Sequence, residues 1–216
     1  MMELVPNEIV IAPRVQSSLS VDDLLNSNWD KAAAVAITQL WSGQKASASR
    51  HAVAQICWSA AALHVRFIGQ QNEPLVVNPN PVTDRKTLGL WDRDVCEIFI
   101  APDSANSQRY FEFEAAPTGE WVDLGIVITP AGRETEWDYA SGMQTHAIVE
   151  PNRIVIGMNI PWSDQILEPT VGDEWPVNLF RCIGPDEATR YLAWRPTRTP
   201  EPNFHVPGAF GWLKFV

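Results

Sequence analysis

Two stretches decide the fold: Asp94-Val95-Cys96-Glu97-Ile98-Phe99-Ile100-Ala101, and, after a short polar break, Arg109-Tyr110-Phe111-Glu112-Phe113-Glu114-Ala115. Side chains alternate faces along a strand. One face of the first stretch carries Asp94, Cys96, Ile98 and Ile100, and the other carries Val95, Glu97 and Phe99. In the second, Phe111, Phe113 and Ala115 oppose Tyr110, Glu112 and Glu114. Both are too short and too rich in β-branched and aromatic residues for helices, so they predict neighbouring strands.

The same pattern repeats outward in both directions. Strands are predicted over 8–12, 34–40, 53–58, 63–68, 121–129, 143–150, 153–160, 175–182, 190–194 and 212–216. The pair 53–58 and 63–68 reads as a hairpin, and Pro151-Asn152 marks the turn of another. Helix is scarce: a short one is predicted over 20–26, with Ser20 as its cap, and one turn over 162–167. Regular turns between a dozen short strands predict an all-β fold, a jelly-roll-like antiparallel β-sandwich of about ten to twelve strands with one or two short helices. The whole chain, 1–216, is expected to form one domain. Pro- and Asn-rich segments at 72–81 and 196–207 read as long ordered loops of the kind that rim a site.

Composition narrows the function. A net charge of −10 disfavours a general nucleic-acid binder, which needs a basic face. No segment reaches the ~18 apolar residues of a membrane span. The start, with Glu3, Pro6 and Glu8, shows no signal peptide, which points to the cytoplasm by default and to secretion or the periplasm if a signal precedes it. Cys57, Cys96 and Cys182 sit among apolar neighbours and read as buried free thiols. The His residues show no metal-ligand spacing, and the usual catalytic motifs are absent.

Ten tryptophans are more than a core of this size needs, so two or three are expected on a ligand face. Several strands also set a charged residue between large apolar ones: Arg66, Glu97, Glu112, Glu114 and Arg181. For each, a solvated outer face is the ordinary reading. Together they suit a polar array for sugar hydroxyls, because carboxylates accept O–H bonds and arginine donates in a planar fork. Glu112 and Glu114 stand i, i+2 on one strand face, about 7 Å apart by strand rise, which also raises a glycoside-processing enzyme using that pair. The positive balance near Arg190, Arg195 and Arg198 admits an acidic sugar.

Three segments carry a resemblance: Leu90-Trp91-Asp92-Arg93-Asp94-Val95-Cys96-Glu97; Tyr110-Phe111-Glu112-Phe113-Glu114 with Gly119 and Trp121-Val122-Asp123; and Val177-Asn178-Leu179-Phe180-Arg181 with Tyr191-Leu192-Ala193-Trp194 and Pro202-Asn203-Phe204-His205-Val206-Pro207. Their order and spacing, over 29–216, resemble the family 9 carbohydrate-binding modules of the DOMON-like sandwich group. That resemblance implies a non-enzymatic domain holding the end of a glycan chain between two tryptophans, matched by Trp91 and Trp194, with Glu97 bonding hydroxyls. Arg66, Glu112, Asn178 and Arg181 join the candidate ligand-binding set from strand faces. The family's attachment to xylan-degrading enzymes implies polysaccharide catabolism. Structural calcium is implied by the resemblance, but no acidic loop matches and no metal ligand is assigned. A haem- or redox-type DOMON-like domain is the alternative, with Met143, Met158, His64 and His146 as candidate ligands.

Overall fold

The computed structural model describes residues 8–216; the first seven, on which the reading of the N-terminus rests, lie outside the described residues. It is a β-sandwich of fourteen strands: β1 (Ile9–Ala12), β2 (Val35–Ile37), β3 (Gln39–Leu40), β4 (Ala52–Trp58), β5 (Ala62–Gln70), β6 (Val95–Ile100), β7 (Arg109–Ala115), β8 (Trp121–Thr129), β9 (Gly132–Glu136), β10 (Gln144–Glu150), β11 (Arg153–Pro161), β12 (Glu174–Cys182), β13 (Tyr191–Ala193) and β14 (Gly211–Phe215). Nine form one sheet, with main order β1-β14-β12-β6-β7-β8-β9, and β13 and β3 continue from β12. The other five run β10-β11-β5-β4-β2. All pairings within the sheets are antiparallel except β1 with β14.

The core lies between the sheets. Ile98, Ile100, Phe111, Phe113, Leu179 and Phe215 of the larger sheet meet Ile56, Val65, Phe67, Ile156 and Met158 of the smaller one, all buried. The alternation seen in β6 and β7 therefore puts Cys96, Ile98, Phe111 and Phe113 inward, as read. Both hairpins form, β4 with β5 and β10 with β11. All three cysteines are free and buried.

Three readings of the chain are corrected and one strand is added. The strand at 34–40 is two: β2 joins the five-stranded sheet and β3 the nine-stranded one, so the chain crosses between sheets at Thr38. The helix at 20–26 is a pair of turns, and a 3-10 helix follows at Ser27–Lys31, capped by the Asn26 side chain on the Asn28 N–H at 2.8 Å. No helical turn forms at 162–167, where Ser163 and Ile166 exchange backbone hydrogen bonds in a tight turn instead. Strand β9 went unread because Gly-Arg-Glu-Thr-Glu has no apolar alternation; it is a charged edge strand, a common way of blocking further pairing.

The outer face of the larger sheet positions the site. Here Glu97, Phe99, Tyr110, Glu112, Glu114, Leu124 and Phe180 point away from the core, yet all are buried. The segment after β13 folds over them. Phe204 stacks on Phe180 at 4.0 Å between ring centroids, and His205 packs against Phe99 at 5.3 Å. Phe210 meets Tyr110 edge-on at 5.4 Å. A second apolar layer thus forms on a face whose alternating acids suggest a solvated surface.

Candidate functional site

A cleft of about 250 Å³ opens on this covered face. Its floor comes from strand side chains: Glu97 and Phe99 of β6, Glu112 of β7, Leu124 and Ile126 of β8 and Cys182 of β12. Trp91, Tyr191 and the segment 202–205 form its walls, and Arg133, Thr135 and Trp137 at the β9 edge close the far side.

Trp91 owes its place to local geometry. It sits in a one-turn 3-10 helix, Leu90–Asp92, preceded by Gly89 at φ +78°, a left-handed conformation that favours glycine. Leu90 anchors the turn in the outer apolar layer. The buried Arg190 guanidinium donates to the carbonyls of Arg93 at 2.9 Å and Trp91 at 3.4 Å, tying the turn to the strand that carries Tyr191. That guanidinium also lies 5.3 Å from the Tyr191 ring.

The floor is electrostatically unusual. One oxygen from each of Glu97, Glu112 and Glu114 lies within 4.8 Å of the other two, and all three side chains are buried. The register explains this: Glu97 is directly opposite Glu114 across β6 and β7, and Glu112 is two residues along the same face. No described residue outside this cluster donates to either oxygen of Glu114 or to Oε2 of Glu112. Burial pushes the Glu97 carboxyl up to about 8, with the Glu112 charge adding to it. Burial also raises Glu112, and it raises Glu114 well above the usual carboxylate range, with Glu97 and Glu112 contributing. The Glu112 and Glu114 carboxyls are in hydrogen-bond contact, which requires a proton on one of them. Cys182 Sγ donates to Glu97 Oε1 at 3.3 Å. His205 stands 4.0 Å from Glu112, but burial, helped by Arg133, lowers its pKa to about 3 and keeps it neutral. Its Nδ1 bonds the Tyr110 hydroxyl at 2.8 Å.

Of the residues expected at a site, the structure brings Trp91, Glu97 and Glu112 together. Four stand elsewhere. Trp194 is 6% exposed and faces the sandwich core, packed so closely on Gly211 that a Cβ there would stand 2.4 Å from the indole. It forms no clamp with Trp91; Tyr191, three residues earlier, is the aromatic of that segment lining the cleft. Arg66 lies on the five-stranded sheet, where it bonds Gln55 and the Leu24 carbonyl and covers the Trp29 ring at 4.9 Å. Asn178 is fully buried, with its amide bonded to the backbone of Arg195 and Leu179. Arg181 points inward with Val177 and Leu179 and donates to the carbonyls of Arg50, His51 and Gln70 and to the Gln71 side chain at 2.8–3.1 Å. It joins the two sheets rather than facing a ligand.

The ligands proposed for haem are dispersed. Met158 and Met143 belong to the inner core, both ring nitrogens of His64 are engaged by Ser59 and Asn159, and His146 pairs with Asp22 at 3.2 Å. Glu112 and Glu114 stand side by side, with Glu114 beneath the cleft floor, so they do not flank a space for a glycosidic bond. Arg190, Arg195 and Arg198, whose charge admitted an acidic sugar, do not line the cleft, whereas Arg133 does. Among the described residues, the three glutamates are the group whose oxygens could hold a hard divalent cation. Calcium's further oxygens would have to come from solvent through the cleft. No described helix is long and apolar enough to cross a membrane.

The residues missed by strand reasoning are Tyr191, Trp137, Asn203, Phe204 and His205, all of which line the cleft. The loop at 196–207 was legible as a rim; the loop at 72–81 packs instead toward Glu120, through Asn78 at 3.1 Å.

The profile described as carbohydrate family 9 binding domain-like matches residues 21–216. Among solved structures, a candidate carbohydrate-binding protein from Bacteroides uniformis superposes with a TM-score of 0.74 at 17% identity, over 97% of this chain and 99% of that one. A family 9 carbohydrate-binding module from Caldicellulosiruptor kristjanssonii in complex with cellotriose gives 0.66 at 14% identity, over 96% and 93%. The module from the same organism in complex with glucose gives 0.65 at 15% identity, over 95% of each chain. No curated protein matches the sequence.

Proposed function

The chain belongs to the carbohydrate family 9 binding domain-like family, and from that premise we propose that it is a binding domain, not a catalyst, that holds one sugar unit of a glycan in the cleft beside Trp91. The observation that carries this reading is the meeting of aromatic walls with carboxylates in one open cleft: Trp91 and Tyr191 beside Glu97 and Glu112. Aromatic rings cover the apolar C–H faces of a sugar, and carboxylates accept its hydroxyls. An open cleft of this volume suits a chain end or a single exposed unit. The complexes of the C. kristjanssonii modules with glucose and cellotriose make those two sugars the first to try.

Isothermal titration with glucose and cellotriose tests the reading. Trp91→Ala is expected to lower affinity about tenfold or more, since it removes a wall of the cleft. Trp194→Phe, a change in the core, is expected to leave affinity within about twofold while lowering stability. Equal affinity in wild type and Trp91→Ala, or a loss confined to Trp194→Phe in folded protein, would refute it.

A further inference from the structure

We propose that the sugar this cleft selects carries a protonated amine, as a 2-amino-2-deoxy sugar does, and that its ammonium group docks on the Glu97 and Glu112 carboxylates, with the Glu114 carboxyl behind them adding to their negative field; this rests on the sugar-binding reading above. Three observations converge on it. First, Glu97 and Glu112 lie at the floor of an open, aromatic-walled cleft, with Glu114 directly behind them. Second, no described residue outside the acidic cluster donates to Oε2 of Glu112, a buried acceptor at the cleft floor, although burying an acceptor without a donor is costly. Third, the histidine at the floor is held neutral, so it supplies no internal counter-charge.

A neutral sugar satisfies such a floor incompletely. Its hydroxyls donate hydrogen bonds but bring no positive charge, so the clustered carboxyls keep their protons. An ammonium group brings one charge and three N–H donors, as a lysine head does. One oxygen of each of the three carboxyls lies within 4.8 Å of the other two, close enough for one nitrogen to reach more than one acceptor. Trp91 at the same cleft adds an aromatic face, which attracts cations.

Docking is coupled to proton release. One carboxyl that receives the ammonium gives up its proton to solvent, so that one negative charge meets one positive charge, and the ammonium keeps all three of its own protons. The groups facing the cluster are Cys182 on β12, Tyr110 on β7, His205 of the covering loop, Arg133 on β9, Arg190 before β13 and Asp92 in the Trp91 turn. The two arginines oppose the upward shifts without pairing with the carboxylates, Arg190 being bonded to backbone carbonyls.

Isothermal titration at pH 7 with glucosamine, N-acetylglucosamine and glucose decides it, run in two buffers of different ionisation enthalpy. Glucosamine is expected to bind about tenfold or more tightly than the other two, with a buffer-dependent heat that reports proton release. Glu114→Gln and, separately, Glu112→Gln are expected to collapse that preference in folded protein. Equal binding of all three sugars overturns the amine inference and leaves the sugar site standing. Binding of none overturns both. Stabilisation by calcium chloride, with no preference among the sugars, overturns it in favour of a metal at the same carboxylates.

Discussion

Raising the pH from 6.5 to 8.5 is expected to lower the thermal unfolding midpoint by about 4–8 °C, and Glu114→Gln to lessen that fall. In the unfolded chain, glutamates titrate near 4.5. In the fold, burial and mutual repulsion raise Glu97 to about 8, and raise Glu112 and Glu114 as well. Between those values the folded state holds more protons than the unfolded one, so stability falls as pH rises through this window. Deprotonating Glu97 alone over it corresponds to about 2 kcal/mol. The lower limit is chosen because His64 and His205 are held neutral in the fold by burial; they oppose the glutamates below their ordinary pKa and are silent above it. A glutamine at position 114 removes one charge and offers N–H donors to its neighbours. It is therefore expected to raise the midpoint at pH 8.5, an unusual sign for a change at a fully buried residue. Differential scanning calorimetry of both proteins across the pH series checks this. A midpoint that stays level or rises over the window would mean that the three carboxyls titrate normally.

Arg181→Met is expected to destabilise the fold by about 3 kcal/mol or more without changing sugar affinity. Arg181 is 1% exposed and supplies hydrogen bonds to four acceptors drawn from the residues that lead into β4 and from the end of β5. Methionine fills most of the volume but leaves those acceptors without a donor inside the sandwich. Gly69 shows how closely the group is seated: a Cβ there would stand 2.4 Å from Nη1. Chemical denaturation measures the loss, and titration of the folded variant measures the affinity. A variant that keeps its stability and loses binding would return Arg181 to the site.

The alternation in β6 and β7 was legible because those strands are long enough to show a period of two. It assigned Glu97 and Glu112 to one face correctly. It did not show that this face is covered, because the covering segment, 202–210, is far along the chain and has no period of its own. Nor did it show which sheet a strand joins, so Arg66 was grouped with residues on the opposite side of the molecule. Trp194 is a matter of phase. In Tyr191-Leu192-Ala193-Trp194 the indole shares a face with Leu192, which is fully buried in the core, and Tyr191 takes the outer face. On a strand, neighbouring residues face opposite ways, so the aromatic that reaches the cleft is not the one the family resemblance picks out. Arg181 carried the same signal, since it shares its strand face with Val177 and Leu179.

The most direct test of the account is a crystal structure of the protein grown with saturating glucose. The account predicts a sugar ring against the Trp91 indole, with hydroxyls within hydrogen-bond distance of Glu97 and Glu112. A sugar bound away from Trp91, for example beside Trp121 and His146 at the β10 edge, or no sugar in the cleft at saturation, would contradict it.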